Sequence, residues 1–290
     1  MKMPGHLVGT DWLAQQLAAP DLSILDATVF LHPNPEGYGY RTESGRAQFA
    51  AEHVPGAQFV DLIEEFSDRS AEVRFMMPPA AELCARIGAL GVGDGRRTVV
   101  YSSGSPMWAT RLWWMLRSVG CENVAVLDGG LAKWKREGRT LESGAQAPKP
   151  ALLTARPRPE LWADRHAVQA AISDGDVCTI NALAPAVYAG EKNVYGRAGH
   201  IPGSRNVFYD TLIDAADGTF LPVARLRPLF AAVGAFEKPR VICYCGGGIS
   251  ATMDALALTL CGHPNIAVYD GSMLEWVADP TLPLKLGMEA

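Results

Sequence analysis

The residues with the clearest chemical meaning lie near the C-terminus, in Val241-Ile-Cys-Tyr-Cys-Gly-Gly-Gly-Ile-Ser-Ala-Thr252. Val241 to Tyr244, preceded by Pro239, reads as a short buried strand because the run is β-branched and aromatic. Three glycines follow Cys245, and Ile249 to Leu260, rich in Ala and Leu and free of Gly and Pro, reads as a helix. A cysteine therefore ends a strand, in a glycine loop that opens onto a helix N-terminus. Glycine lets the backbone turn its N–H groups inward, and the helix start adds free N–H groups and the positive end of its dipole. Such a setting stabilises a sulfur anion, so Cys245 is expected to be a nucleophile without an adjacent acid, base or metal. Packing alone is a poor reason for three consecutive glycines, each costing up to ~1 kcal/mol in unfolded-state entropy. Cys243 faces the same side, but a two-residue spacing is poor disulfide geometry, and it reads as core.

The rest of the chain must position that thiol. With 290 residues, 48% hydrophobic, it can bury a full core, and two domains are expected. A net charge of −5 without a Lys or Arg run argues against nucleic acid or anionic membrane as a partner. Cysteines 84, 121, 178, 243, 245 and 261 show no zinc-like spacing and sit in apolar segments, as reduced thiols of a cytoplasmic protein would. No metal or cofactor is expected. The N-terminus shows no secretory signal, and no segment approaches the ~18 apolar residues of a membrane span.

Strands and helices alternate along the chain. Thr10 is expected to cap a helix over residues 11–17, and a strand follows at Leu22 to Ala27. A polar loop from His32 to Arg46 precedes Glu52-His-Val-Pro-Gly-Ala57. A helix is read at Ala80 to Leu90, a strand at Thr98 to Tyr101, a helix from Trp108 to Val119, and a strand and turn in Val124-Ala-Val-Leu-Asp-Gly-Gly130. That alternation predicts an α/β domain with a mostly parallel sheet. Residues 144–159, rich in Gly, Ala, Pro and basic side chains, read as a linker between domains at 1–143 and 160–290.

Beyond the linker the order recurs. Val177 to Asn181 matches Leu22 to Asp26, Gly199-His-Ile-Pro-Gly-Ser204 matches the first His-x-Pro-Gly turn, and Ala267-Val-Tyr-Asp-Gly-Ser272 matches Ala125 to Gly130. The histidines are 147 residues apart and the aspartates 142, a duplicated domain rather than a solenoid. Duplication supplies a control. His53 and His200, and Asp128 and Asp270, recur and read as structural, the aspartates as turn caps. The cysteine occurs once: the first copy carries Ser102-Ser-Gly-Ser105 after its strand, so the second half is expected to be catalytic and the first inactive.

Taken together, Leu25-Asp26, the two His-x-Pro-Gly turns, Trp113-Trp-Met-Leu116, Leu127-Asp-Gly-Gly130 with Trp134, and Tyr269-Asp-Gly-Ser272 with Trp276 resemble the two-domain rhodanese family of sulfurtransferases, over nearly the whole chain. The resemblance implies tandem rhodanese-like domains and a persulfide-forming cysteine at Cys245. Members acting on thiosulfate tend to carry basic residues after the cysteine, whereas members acting on 3-mercaptopyruvate tend to have a neutral loop, which Cys245-Gly-Gly-Gly248 is closer to. The chain departs from the second group in lacking two arginines before the His-Ile-Pro-Gly turn. Val187 stands at the first, Arg197 is the one arginine left, and Lys192 is nearby. A serine and a histidine that form a proton relay in some members have Gly247 and Phe75 as counterparts, so no relay is carried over.

The expected mechanism is covalent. Cys245 takes a sulfane sulfur from 3-mercaptopyruvate or thiosulfate, and the N–H groups of Gly246, Gly247, Gly248, Ile249 and Ser250 hold the resulting anion. Arg197 is the candidate for gripping the donor's carboxylate or sulfonate. Cyanide, a small thiol or a thioredoxin-like protein then accepts the sulfur. A cysteine phosphatase would need Cys-x5-Arg, and that position is Ala251. A persulfide carrier or redox-sensing protein shares the first chemical step and is the alternative.

Overall fold

A computed structural model describes residues 1–35 and 38–290. The strands are β1 (Leu7–Val8), β2 (Leu22–Asp26), β3 (Val29–Pro33), β4 (Tyr40–Ser44), β5 (Ala57–Phe59), β6 (Arg97–Tyr101), β7 (Val124–Leu127), β8 (Trp162–Ala163), β9 (Val177–Asn181), β10 (Arg205–Asn206), β11 (Arg240–Tyr244) and β12 (Ile266–Tyr269). Ten of them form two five-stranded parallel sheets, ordered β1-β7-β6-β2-β5 and β8-β12-β11-β9-β10. Each strand of the second sheet stands where its repeat stands in the first. The register agrees too: Asp26 lies beside Tyr101 in one sheet and Asn181 beside Tyr244 in the other. The central strands β6 and β11 are buried on both faces and hence read as continuous apolar runs rather than alternating ones.

Three local expectations change. The first helix, Thr10–Gln16, begins at Thr10 itself, behind an extended Gly9, and the Thr10 hydroxyl donates to Glu137 instead of capping. The polar stretch after His32 contains β4, which pairs antiparallel with β3 as a hairpin projecting from the first sheet. Of its strand side chains only Val29 is buried, so no apolar stripe announced it. The helix after the glycine loop runs Ala251–Leu260, leaving Ile249 and Ser250 to the turn. Residues 251–258 are all buried, as an all-round apolar helix must be.

One apolar cluster runs through both domains, and its seam is the contact between the helices Met107–Ser118 and Ala251–Leu260. Thr110 Oγ1 and Thr252 Oγ1 share a 2.7 Å hydrogen bond across it. These threonines are repeat equivalents, so a local twofold axis passes through their bond. Around that axis Asp128 accepts from the Phe220 N–H (2.8 Å) and Asp270 from the Met77 N–H (2.7 Å). The two aspartates are reciprocal clasps between domains, not the turn caps expected, because their partners are remote in sequence. The segment 144–158 has no helix or strand. It runs along the first domain, with Ala151 and Arg156 donating to the Gly88 and Val119 carbonyls (2.9 Å each).

Candidate active site

β11 delivers Cys245 to the end of the second sheet, 2% exposed. Its predecessor Tyr244 is fixed through its hydroxyl, which accepts the Ile201 N–H (3.1 Å) and bonds Ser204 Oγ (2.8 Å). Close approach explains the glycines that follow. A Cβ at Gly246 would lie 2.1 Å from Tyr195 Oη. Gly248 has φ +73°, and a Cβ there would meet the Asp270 carbonyl at 2.5 Å.

The loop is spanned from outside by Ser272. Its Oγ accepts the N–H groups of Cys245 and Gly248, each at 3.1 Å, and donates to the Tyr269 carbonyl at 2.7 Å. Met273 and Leu274 then donate to the Cys245 and Gly246 carbonyls (3.1 and 2.9 Å), tying the last helix, Ser272–Ala278, to the loop. The other side of Gly248 is held by the first domain. Arg111, 1% exposed, donates to the Gly248 carbonyl (3.2 Å), to Asp270 Oδ1 (2.5 Å) and to the Phe75 carbonyl (2.5 Å). In the sequence Arg111 reads only as an interruption of an apolar helix; its ligands lie 137 and 159 residues away.

These contacts sort the expected anion donors. Among the described residues the N–H groups of Gly246, Gly247, Ile249 and Ser250 have no partner. The Gly248 N–H is committed to Ser272, which removes it from the set read in the sequence. A short buried loop thus holds four unpaired donors beside a thiol, an uncommon arrangement for buried backbone and the geometry of an anion site.

Arg197 is engaged away from a donor in this structure. Its Nη1 and Nη2 donate to the Asp279 and Leu282 carbonyls, both at 2.9 Å. It staples the C-terminal segment, with two of its N–H groups committed there. Lys192 is exposed, and Val187 lies half-buried on the short helix Pro185–Tyr188. His200 and His53 are both fully buried. Each places Nδ1 on a backbone carbonyl, Tyr188 (2.9 Å) and Phe49 (2.7 Å), and stacks on that same residue's ring, as structural turn residues would.

The sequence reading missed a group of tyrosines. Tyr195 lies on a loop whose Val194 carbonyl accepts the N–H of Gly39 from the first domain's hairpin (2.7 Å). Burial, then the neighbouring Cys245, Tyr40 and Tyr209, push the Tyr195 hydroxyl well above its ordinary value, so it stays a proton-bearing donor. Burial does the same for Tyr209. Asp254, on the helix below the loop, is also buried. Neither of its carboxyl oxygens has a partner among the described residues, and burial, followed by Cys245, pushes its pKa well above the carboxylate range. No sequence signal marks it apart from a carboxylate in an apolar helix.

The loop of the first copy carries no thiol. Ser102 stands at the cysteine position and donates to the Ser105 carbonyl (2.8 Å), folding its own side chain into the turn. Burial pushes up the thiols of Cys121 (to about 12), Cys178 (to about 11), Cys243, Cys84 and Cys261, which disfavours their thiolates. Among the described residues no His, Cys, Asp and Glu group is placed to hold a metal ion, and no helix is long and apolar enough to cross a membrane.

Comparison with known proteins agrees with this architecture. The model of the Rhodanese-like domain matches twice, over residues 9–137 and 141–279. The chain is 33% identical to a probable 3-mercaptopyruvate sulfurtransferase of Pseudomonas aeruginosa, over 97% of this chain and 98% of that one. It is also 33% identical to the thiosulfate sulfurtransferase of Bos taurus, over 93% and 91% respectively. Among solved structures, a 3-mercaptopyruvate sulfotransferase from Escherichia coli superposes with a TM-score of 0.81 at 33% identity, covering 92% of this chain and 98% of that one.

Proposed function

The chain belongs to the rhodanese family and is homologous along its length to sulfurtransferases, and from that premise we propose that Cys245 carries sulfane sulfur as a persulfide. The observation that supports this most is the pairing of a buried thiol with the four unpaired N–H groups of Gly246, Gly247, Ile249 and Ser250. The Cys245 thiolate attacks the transferable sulfur of the donor, forming a Cys–S–S⁻ group. From thiosulfate the S–S bond breaks and sulfite leaves. From 3-mercaptopyruvate the C–S bond breaks, and the carbon takes up the thiol's proton to leave as pyruvate. The new terminal sulfur bears the negative charge, which the backbone donors stabilise in a water-poor setting. An acceptor such as cyanide attacks that sulfur, leaves as thiocyanate, and returns Cys245 as thiolate. Two half-reactions through one covalent intermediate give ping-pong kinetics.

The neutral glycine loop favours 3-mercaptopyruvate over the doubly charged thiosulfate. With Arg197 tied to backbone carbonyls and Arg111 tied to Asp270, the Tyr195 hydroxyl and the exposed Arg74, whose guanidinium lies on the Tyr40 carbonyl, are the groups placed to meet the donor's oxygens. The commitment of Arg111 and Arg197 to other partners favours a second reading, a persulfide carrier loaded by another protein. Steady-state thiocyanate formation from each donor, with wild type and Cys245→Ser, tests both. Turnover of 3-mercaptopyruvate that Cys245→Ser abolishes is expected. Persulfide on Cys245 without turnover of either donor would leave the carrier.

A further inference from the structure

Among the described residues two non-glycine side chains adopt positive φ, Phe75 (+68°) and Ser272 (+50°), and both touch the machinery around Cys245. Phe75 is gripped at its carbonyl by Arg111. Ser272 occupies the repeat position of Gly130, which has φ +54° in the inactive copy. The backbone turn is thus the same in both halves, and the first half makes it with the residue that suits it. The catalytic half makes it with a strained serine. Strain of this kind persists where a side chain is retained for what it does.

The Ser272 hydroxyl does use its full capacity, one donor and two acceptor sites. All three bonds are filled, by the Tyr269 carbonyl and by the Cys245 and Gly248 N–H groups. Both N–H groups belong to the nucleophile loop. In the inactive copy no hydroxyl is available at Gly130, and the Ser102 side chain bonds within its own turn, to the Ser105 carbonyl. The hydroxyl that holds the nucleophile loop thus has no counterpart in the first copy.

We propose that Ser272 is a positioning residue for the nucleophile: its hydroxyl, kept against backbone strain, holds the Cys245 and Gly248 peptides so that the neighbouring N–H groups remain free for a sulfur anion. Arg111 completes the hold from the opposite side of Gly248. The proposal rests on the reading of Cys245 as the sulfur-carrying group, but its test does not depend on any sulfur donor.

The experiment compares Ser272→Gly, Ser272→Ala and wild type by melting temperature and by the rate at which iodoacetamide alkylates Cys245 across pH 6–9. Cys245→Ser reports the background from the other thiols. Glycine relieves the strain as it removes the hydroxyl, so Ser272→Gly is expected to melt within about 3 °C of wild type while alkylation at neutral pH slows about tenfold. Ser272→Ala keeps the strain and loses the hydroxyl, so it should slow equally and melt below Ser272→Gly. Where turnover is measurable, the loss should fall on kcat with KM little changed. Wild-type alkylation in Ser272→Gly would overturn the proposal. So would a Ser272→Gly variant that melts below Ser272→Ala, because the serine would then be a packing residue without strain to relieve. Wild-type turnover of neither donor would remove the enzymatic reading, leave only the carrier, and leave the alkylation comparison standing.

Discussion

Replacing Arg111 by Met removes a buried cation and leaves most of its apolar stem. Asp270, 8% exposed, then keeps its negative charge with one oxygen on the Met77 N–H and nothing on the other. Breaking a buried ion pair from one side costs about 3–5 kcal/mol. Loss of the hydrogen bonds to the Phe75 and Gly248 carbonyls, and of the guanidinium over Trp162 at 4.9 Å from the ring centre, places the effect at the upper end of that range. With a urea slope of about 3 kcal/mol/M, the unfolding midpoint should fall by more than 1 M. Adding Asp270→Asn removes the stranded charge while the amide oxygen can still accept from Met77. The double variant should therefore recover to within about 2 kcal/mol of wild type. Catalysis should not recover with it, since the Gly248 carbonyl stays unheld in both variants. The assay is urea unfolding followed by tryptophan fluorescence, alongside thiocyanate formation. A midpoint shift below about 0.3 M for Arg111→Met, or a double variant with full turnover, would refute the idea that this guanidinium ties the catalytic loop to the first domain.

Two further substitutions probe the loop and the first core. Gly246→Ala places a Cβ 2.1 Å from Tyr195 Oη and 2.6 Å from its Cζ, so turnover should drop more than tenfold, with part recovered by adding Tyr195→Ala; undiminished turnover in the single variant would show that the contact constrains nothing. Asp26 is fully buried, and burial pushes its carboxyl from 3.8 up to about 6 despite the Thr28 donors. A carboxyl with a raised folded pKa stabilises most below its unfolded value, and that contribution is lost as pH rises through about 6, roughly 3 kcal/mol in all. Asp26→Asn, which copies Asn181 of the second sheet, should thus be more stable than wild type at pH 8 and gain nothing at pH 4. Urea midpoints that move in parallel between those pH values would sink that account.

The parts legible in the sequence were those in which one short segment carries both the signal and the structure. Val241 to Cys245, the glycines after it and the paired His-x-Pro-Gly turns each announce a local conformation, and the 142-residue echo of Asp-Gly identified the duplication. The pairs formed by folding were not legible. Arg111 looked like a blemish in an apolar helix because Asp270 is 159 residues away, and Arg197 looked available because the carbonyls that occupy it carry no sequence mark. Ser272 was visible as a motif residue, whereas its positive φ and its three bonds were not. The hairpin β3–β4 escaped for the opposite reason: of its strand side chains only Val29 is buried, which leaves no apolar stripe to read.

The hydrogen bond between Thr110 and Thr252 lies on the axis relating the two halves, so the surface they share is isologous, as in a homodimer. The tether over residues 144–158 makes that association intramolecular, and a short linker of this kind supplies an effective concentration in the millimolar range. Dilution therefore does not part the halves. Once association no longer depends on identical surfaces meeting, symmetry ceases to be a requirement. The two positions next to the axis can diverge, Arg111 on one side and Met253 on the other. One half carries the buried Arg111 and the other the Cys245 loop, an asymmetry that a dimer of identical chains could not hold.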